Sequence, residues 1–203
     1  MKKIMFNDRY GLTQAVIEGR KTMTRRLIPA GLIEQWVEFV SDAPSVGGVY
    51  VHESEKDFYE REVPRYKVGE VVAVAQSYQR IGISREYIDN DPFGGLDKGW
   101  GNKMFVRADM MPHQIRITGI RCERLQGILD EDCLREGVIE HPYRGYMVDG
   151  IVYRRCKDKG YNGSLRIFDT PREAFAALID KISGRGTWER NPWVVVYEFE
   201  LVK

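Results

Sequence analysis

Cysteine pairs, an excess of charge of one sign and long apolar runs are all missing from this sequence. Its three cysteines, Cys122, Cys133 and Cys156, are odd in number and widely spaced, which favours a reducing compartment over a disulfide framework. No Cys-x-x-Cys pair occurs and the histidines are isolated, so neither a metal site nor a cofactor is expected. No apolar run approaches the ~20 residues that span a bilayer, and the N-terminus turns polar too early for a signal peptide. These absences predict a cytoplasmic protein without membrane contact.

The balance of charges limits the kinds of ligand that the protein is expected to bind. A net charge of +1, with 30% charged residues, argues against a protein that coats nucleic acid, and 43% hydrophobic residues exclude general disorder. Cations are nevertheless clustered: residues 20–26 contain Arg20, Lys21, Arg25 and Arg26 without a carboxylate. A second basic cluster occupies 154–159. Two basic clusters on a nearly neutral chain favour a defined anionic ligand.

Short strand patterns interspersed with a few helices predict an α+β fold with a curved sheet of mixed or antiparallel strands. The apolar run 71–75 is typical of a fully buried strand. From Ile115 to Leu125 the apolar positions change parity at Gly119, which predicts a β-bulge and a bent strand. The length suits one domain, which we assign to residues 1–203.

The clearest helix is predicted from Thr170 to about Ser183. Thr170 is placed to cap it, and Gly184 to end it. The apolar residues of this helix fall at helical spacing and are expected to be buried. They are Phe175, Leu178, Ile179 and Ile182.

A hairpin is predicted around Asp149 and Gly150, which lie between two apolar runs. We assign it to an insertion at about 138–168 that also carries the second basic cluster. Residues 142–168 would then offer a contact surface for a protein partner.

The most promising site is the segment from Gly19 to Arg26, where a helix gives way to a strand. In an extended strand Thr24 and Arg26 lie on one face, and Lys21 lies at the junction. A lysine beside a threonine hydroxyl and a guanidinium suits a phosphate or the polar edge of a base. The alternative is that these cations only offset the dipole at the end of the preceding helix.

This segment, Gly-x-Lys-x-x-Thr-x-Arg after an Ile-Glu-Gly helix end, resembles the signature of the ASCH domain family (activating signal cointegrator homology). The chain is especially similar to phage-related bacterial members, except at about 138–168. The resemblance implies a PUA-like β-barrel with flanking helices, which binds RNA or a modified nucleoside in a cleft beside the Lys-Thr motif. It rests also on residues 68–76, 115–121, 124–128 and 191–194.

Some members of this family are amidohydrolases that deacetylate N4-acetylcytidine with a lysine base, a threonine nucleophile and a glutamate proton donor. The resemblance assigns the first two roles to Lys21 and Thr24, but the place of the glutamate holds Gln76. A glutamine cannot transfer a proton, and general acid–base help is worth roughly 10²–10⁴-fold. Binding without turnover is therefore the favoured prediction, and catalysis stays open.

In the binding hypothesis Lys21 and Arg26 hold anionic oxygens, and an aromatic ring stacks on a base. The candidate ligand-binding residues are Lys21, Thr24, Arg26, Gln76, Tyr78, Asn102 and Lys103. Two alternatives remain. The protein is an amidohydrolase or a ribonuclease with Lys21 and Thr24 as catalytic residues, or a phage-related protein-interaction component that uses 142–168.

Overall fold

A five-stranded sheet organises the computed structural model, which describes residues 1–29, 31–32, 45–46, 49–50, 54–92, 94–152 and 166–203. The strands are β1 (Lys3–Ile4), β2 (Met23–Leu27), β3 (Ser45–Val46), β4 (Val49–Tyr50), β5 (Val71–Val74), β6 (Gln114–Arg124), β7 (Ile139–Glu140), β8 (Tyr146–Met147) and β9 (Trp193–Leu201). The helices are α1 (Leu12–Ile17), α2 (Glu55–Glu62), α3 (Arg85–Asp89), α4 (Asp130–Arg135), α5 (Pro171–Ser183) and α6 (Thr187–Arg190). Five short 3-10 helices, Asp8–Tyr10, Asp97–Gly99, Lys103–Phe105, Ala108–Met110 and Leu125–Gly127, complete the described elements.

The sheet has the order β1-β5-β6-β9-β2. β1 pairs with β5 in parallel, and the other three ladders are antiparallel. The predicted α+β class and the mixed sheet are therefore confirmed. β1 and β2 form the two edges, and no ladder joins them among the described residues.

The long strand β6 contains the predicted bulge. Its register against β9 shifts between Ile117 and Gly119. Ile115 and Ile117 before the shift and Cys122 after it are all buried, because the extra residue restores the inward direction of the apolar side chains. The predicted parity change is confirmed.

Helix α5 begins as predicted. The hydroxyl of Thr170 accepts a hydrogen bond from the backbone N–H of Glu173 at 3.2 Å, and the helix ends before Gly184. The predicted buried stripe is correct for its first three members. The prediction is wrong for Ile182, which is 40% exposed because it lies in the last turn of the helix, where the helix borders a surface cleft.

A turn forms at Asp149 and Gly150, where the N–H of Ile151 donates to the carbonyl of Val148 at 3.2 Å. The predicted hairpin is wrong for the described residues, because β8, before the turn, pairs with β7, and its Tyr146 bridges to Phe168 rather than to the run after the turn. Residues 153–165 lie outside the described residues and include the second basic cluster. The insertion at about 138–168, its contact surface at 142–168 and the one-domain extent of 1–203 therefore stay predictions.

Within the described ranges, no helix has the length and apolar character needed to cross a membrane.

Two described cysteines, Cys122 and Cys133, are free and buried. Burial raises the pKa of each thiol to about 12. At pH 8 only about one in ten thousand of either thiol is then the reactive thiolate. In a Cys156→Ser variant we expect no labelling by a thiol-specific disulfide reagent until the chain is unfolded by denaturant. Rapid labelling of the native variant would contradict the burial of these two residues.

Candidate functional site

A cleft of about 660 Å³ lies between the two edges of the sheet. One wall is the chain from Met5 to Arg9, which follows β1, and the opposite wall is formed by residues 21–27. Helix α5 contributes an apolar side through Phe175 and Leu178. The volume is in the range of small-molecule sites.

Lys21 lies at the bottom of this cleft. Gly19, with φ of 73°, adopts the left-handed conformation that ends α1 and turns the chain toward β2. The ammonium of Lys21 donates to a carboxylate oxygen of Glu136 at 2.6 Å and to the carbonyl oxygen of the same residue at 2.7 Å. Lys21 is only 2% exposed. It is therefore a buried cation paired with a buried carboxylate.

Burial lowers the pKa of the Lys21 ammonium, because the charged form loses its hydration. The carboxylate of Glu136 acts in the opposite direction, and the nearby Arg26 and Arg25 lower the pKa further. The net direction is downward. A proton on this amine is thus easier to remove than one on an ordinary surface lysine.

Glu136 is held from its other side by Arg25. A guanidinium nitrogen of Arg25 lies 3.2 Å from the second carboxylate oxygen of Glu136. Further Arg25 contacts at 2.7 and 2.9 Å engage Glu123 and Asp132. The contacts continue outward along the sheet and join four cations to four carboxylates, so that the network is neutral. Its members are Lys21, Arg25, Arg121, Arg135, Glu123, Asp132, Glu136 and Glu198.

Thr24 lines the same cleft from β2. It is 5% exposed, and its hydroxyl makes no hydrogen bond to any residue that the structure describes. Side chains alternate along the strand, so Thr24 and Arg26 share the face opposite to Met23 and Arg25. The hydroxyl is therefore available to a ligand.

Arg26 and Lys103 connect the two walls of the cleft region. Arg26 donates to the carbonyl oxygen of Met5 at 2.5 Å, and its guanidinium lies 5.7 Å from the ring centre of Phe6. The ammonium of Lys103 donates to the carbonyl of Phe6 and lies 2.9 Å from a carboxylate oxygen of Asp8. Both cations thus fix the segment after β1.

The other three candidate residues do not line this cleft. Gln76 is buried, and its side-chain oxygen has no hydrogen-bond partner within the described part of the chain. Tyr78 is fully buried and its hydroxyl accepts a hydrogen bond from the N–H of Arg107 at 2.8 Å, so neither face of the ring is open to a base. Asn102 caps the 3-10 helix Lys103–Phe105. The structure therefore brings together Lys21, Thr24, Arg26 and Lys103, whereas Gln76 does not join them.

Sequence reasoning missed Glu136, which lies 115 residues from its partner Lys21. One signal was present. Glu136 directly follows α4, and a carboxylate at the C-terminal end of a helix opposes the helix dipole unless cations lie nearby. In the fold, the cations near this carboxylate are Lys21 and Arg25.

Comparisons with known proteins add no relative: no family model, no curated protein and no solved structure matches the chain. Among the residues that the structure describes, no group of three or more histidine, cysteine or acidic side chains could hold a metal ion. The chemistry of the cleft therefore has to be inferred from its own side chains.

Proposed function

We propose that the protein is an amidohydrolase of the ASCH family, which removes an acyl group from the exocyclic amine of a cytidine-type base. The observation that carries this proposal is the buried Lys21–Glu136 pair in the cleft that also contains the unbonded hydroxyl of Thr24. Lysine, threonine and glutamate are the set that the family resemblance implies for hydrolysis. Glu136 acts as the proton donor, a role that the glutamine at position 76 cannot fill.

The Lys21–Glu136 contact provides both a base and an acid. Moving one proton along the 2.6 Å contact converts the ion pair into a neutral amine and a carboxylic acid. Burial favours loss of the proton from Lys21, because the neutral amine needs less hydration than the ammonium. The amine of Lys21 then accepts the hydroxyl proton of Thr24 as its oxygen attacks the acyl carbon.

Collapse of the tetrahedral intermediate breaks the bond between the acyl carbon and nitrogen. The departing nitrogen takes the proton of Glu136, which restores the ion pair and leaves the acyl group on Thr24. In the second half, Lys21 again passes a proton to Glu136; water then loses a proton to the neutral amine of Lys21 and attacks the ester, and the oxygen of Thr24 regains a proton from Glu136. Arg26 donates one hydrogen bond to the carbonyl oxygen of Met5, and its other N–H groups can stabilise the oxyanion.

The shape of the cleft supports a planar, partly apolar substrate. The ring of Phe6 and the apolar side of α5 offer contact surface, and about 660 Å³ suffices for a nucleoside. The same lining contains the polar side chains of Lys21, Thr24 and Arg26. Such a lining suits a base whose acylated amine points toward Lys21 and Thr24.

The Lys21–Glu136 contacts argue against a binding module in which Lys21 is a main contact to phosphate oxygens. Lys21 gives two of its three donors to Glu136, so only one remains for a ligand unless the buried carboxylate is displaced. Binding without turnover remains the alternative that the experiment below distinguishes.

For the fold, we propose the PUA-like barrel that the resemblance implies. Its support is the approach of the two sheet edges, where Arg26 of β2 reaches the carbonyl after β1 at 2.5 Å. A sheet that curves until its edges face each other has nearly the form of a barrel.

Thr24→Val is the direct test of the proposal. We expect hydrolysis of N4-acetylcytidine to fall by roughly 10³-fold or more, because the nucleophile is lost, whereas Thr24→Ser retains activity. Valine has the shape of threonine and the hydroxyl is unbonded, so thermal unfolding should change little. Product formation is followed by chromatography, and the acyl-enzyme by mass spectrometry.

Three results would contradict the proposal or redirect it. Unchanged hydrolysis by Thr24→Val excludes this residue as the nucleophile. Tight binding of acetylcytidine without any turnover supports the binding module instead. Cleavage of RNA without deacylation supports the ribonuclease alternative.

A further inference from the structure

A second surface cavity, of about 540 Å³, adjoins the cleft. Arg9 lines both spaces, so a ligand that fills the cleft can extend into the second cavity past this side chain. The described residues around the second cavity are Arg9, Tyr10, Gly150, Ile151, Val152 and Lys181.

The two cations of this second cavity have no acidic partner in the described chain. Arg9 and Lys181 are exposed, and the side chain of neither forms a hydrogen bond or an ion pair with the rest of the chain described here. The guanidinium of Arg9 lies 5.8 Å from the ring centre of Tyr10. No carboxylate is found among the described lining residues. In the cleft, by contrast, Lys21 and Lys103 are both paired with carboxylates.

The described carboxylates near this cavity include those of Asp8 and Asp149. Asp8 precedes Arg9, but it is already engaged by Lys103 at 2.9 Å and by Arg80 at 3.6 Å. Its side chain also accepts a hydrogen bond from Thr13. The carboxylate of Asp149 packs against Gly11 beside the cavity and has no partner among the described residues, so an incoming anion would meet two unpaired cations and one unpaired carboxylate. A guanidinium and an ammonium around one cavity are suited to a phosphate group.

Both cations are carried by well-fixed backbone. Arg9 belongs to the 3-10 helix Asp8–Tyr10, whose start is capped by the side chain of Asn7. Gly150 packs so closely on the carbonyl oxygen of Arg9 that an added Cβ would collide with it. Lys181 belongs to the last turns of α5. Only side-chain freedom is lost when an anion binds, which keeps the entropic cost low.

We propose that Arg9 and Lys181 bind the phosphate of a ligand whose base occupies the cleft. The substrate is then an acylated cytidine nucleotide, free or within RNA, rather than the nucleoside alone. The identity of the base rests on the function proposed above. The phosphate subsite itself requires no turnover and can be measured separately.

The test compares cytidine with cytidine 5′-monophosphate by isothermal titration calorimetry. We expect the wild-type protein to bind the monophosphate about 10- to 100-fold more tightly than cytidine, as charge-assisted hydrogen bonds would give. In Arg9→Gln/Lys181→Gln this advantage should almost vanish, and in Lys181→Gln, which leaves the lining of the cleft intact, it should fall with cytidine binding unchanged. The control is Lys98→Gln/Arg185→Gln, which removes the same charge from exposed positions and should keep the advantage.

Several outcomes would overturn the subsite. They are equal binding of the two ligands by the wild type, no detectable binding of the monophosphate at millimolar concentration, and an equal loss in the control variant. Thermal unfolding of each variant verifies that it is folded.

The source of the phosphate is resolved by a short oligoribonucleotide with a single cytidine. Binding tighter than that of the monophosphate, with a salt dependence that weakens in Arg9→Gln/Lys181→Gln, assigns the RNA backbone. Equal or weaker binding assigns the free nucleotide. If monophosphate binding depends on Arg9 and Lys181 but acylated cytidine is never hydrolysed, the subsite stands and the proposed function fails. If acylated cytidine is hydrolysed equally well with and without a phosphate, the proposed function stands and the subsite fails.

Discussion

Glu136→Gln is expected to lower the free energy of unfolding by about 3–5 kcal/mol, because Lys21 and Arg25 would stay buried with one carboxylate fewer. At roughly 2–4 °C per kcal/mol for a chain of this size, the midpoint of thermal unfolding should fall by about 6–20 °C. Glutamine preserves the shape of the side chain, so the loss reports charge rather than packing. Urea unfolding followed by circular dichroism measures it.

Two variants serve as controls for this result. Asp97→Asn breaks the exposed pair with Arg85 and should cost less than about 1 kcal/mol. Lys21→Met/Glu136→Leu removes a buried cation and a buried anion together, so it should be clearly more stable than Glu136→Gln. A double variant no more stable than the single one would show that the pair is not the source of the cost.

The second large effect, a loss of hydrolytic activity, is expected for the same double variant. Lys21→Met/Glu136→Leu should lose about 10⁴-fold in kcat/KM for acetylcytidine hydrolysis, because it lacks both the base and the acid. We expect this variant to stay folded, and its circular dichroism then shows that the loss is not caused by unfolding. Turnover within about tenfold of the wild type would remove both residues from the mechanism.

The pH dependence of the wild type provides an independent check. The mechanism needs one proton shared by Lys21 and Glu136, so activity falls when the pair loses it at high pH. Because burial lowers the pKa of Lys21, this alkaline limb should lie below the ordinary lysine value of 10.5. Arg26 also lowers the pKa of Lys21, so Arg26→Gln should move the limb to higher pH. A limb that does not move would contradict the role of Lys21.

Local signals made part of this fold predictable. The cap at Thr170 and the stop at Gly184 define α5 because hydrogen bonds at helix ends involve near neighbours in sequence. The bulge at Gly119 was visible because a parity change in one strand needs no knowledge of its partner. Lys21 and Thr24 could be paired because only three positions separate them.

The remaining parts of the site depend on contacts between distant segments. Glu136 meets Lys21 only because α4 packs beside β2, where the carbonyl of Arg135 accepts from the N–H of Thr22 at 3.0 Å. Gln76 follows β5 closely in the sequence, yet its side chain is buried in the interior. A tyrosine such as Tyr78 suits a core and a stacking surface equally well, and only packing decides between them.

The side-chain hydrogen bonds along the edge strand β1 have a consequence for the behaviour of the protein at high concentration. Carbonyl oxygens in and after this outer strand already accept hydrogen bonds from side chains. The donors are Tyr66 to Lys3, Arg26 to Met5 and Lys103 to Phe6. A strand from a second molecule would find few free acceptors there, and cross-β association along this edge would be disfavoured. Arg26 and Lys103 thereby both line the cleft and hinder the addition of a strand at the β1 edge.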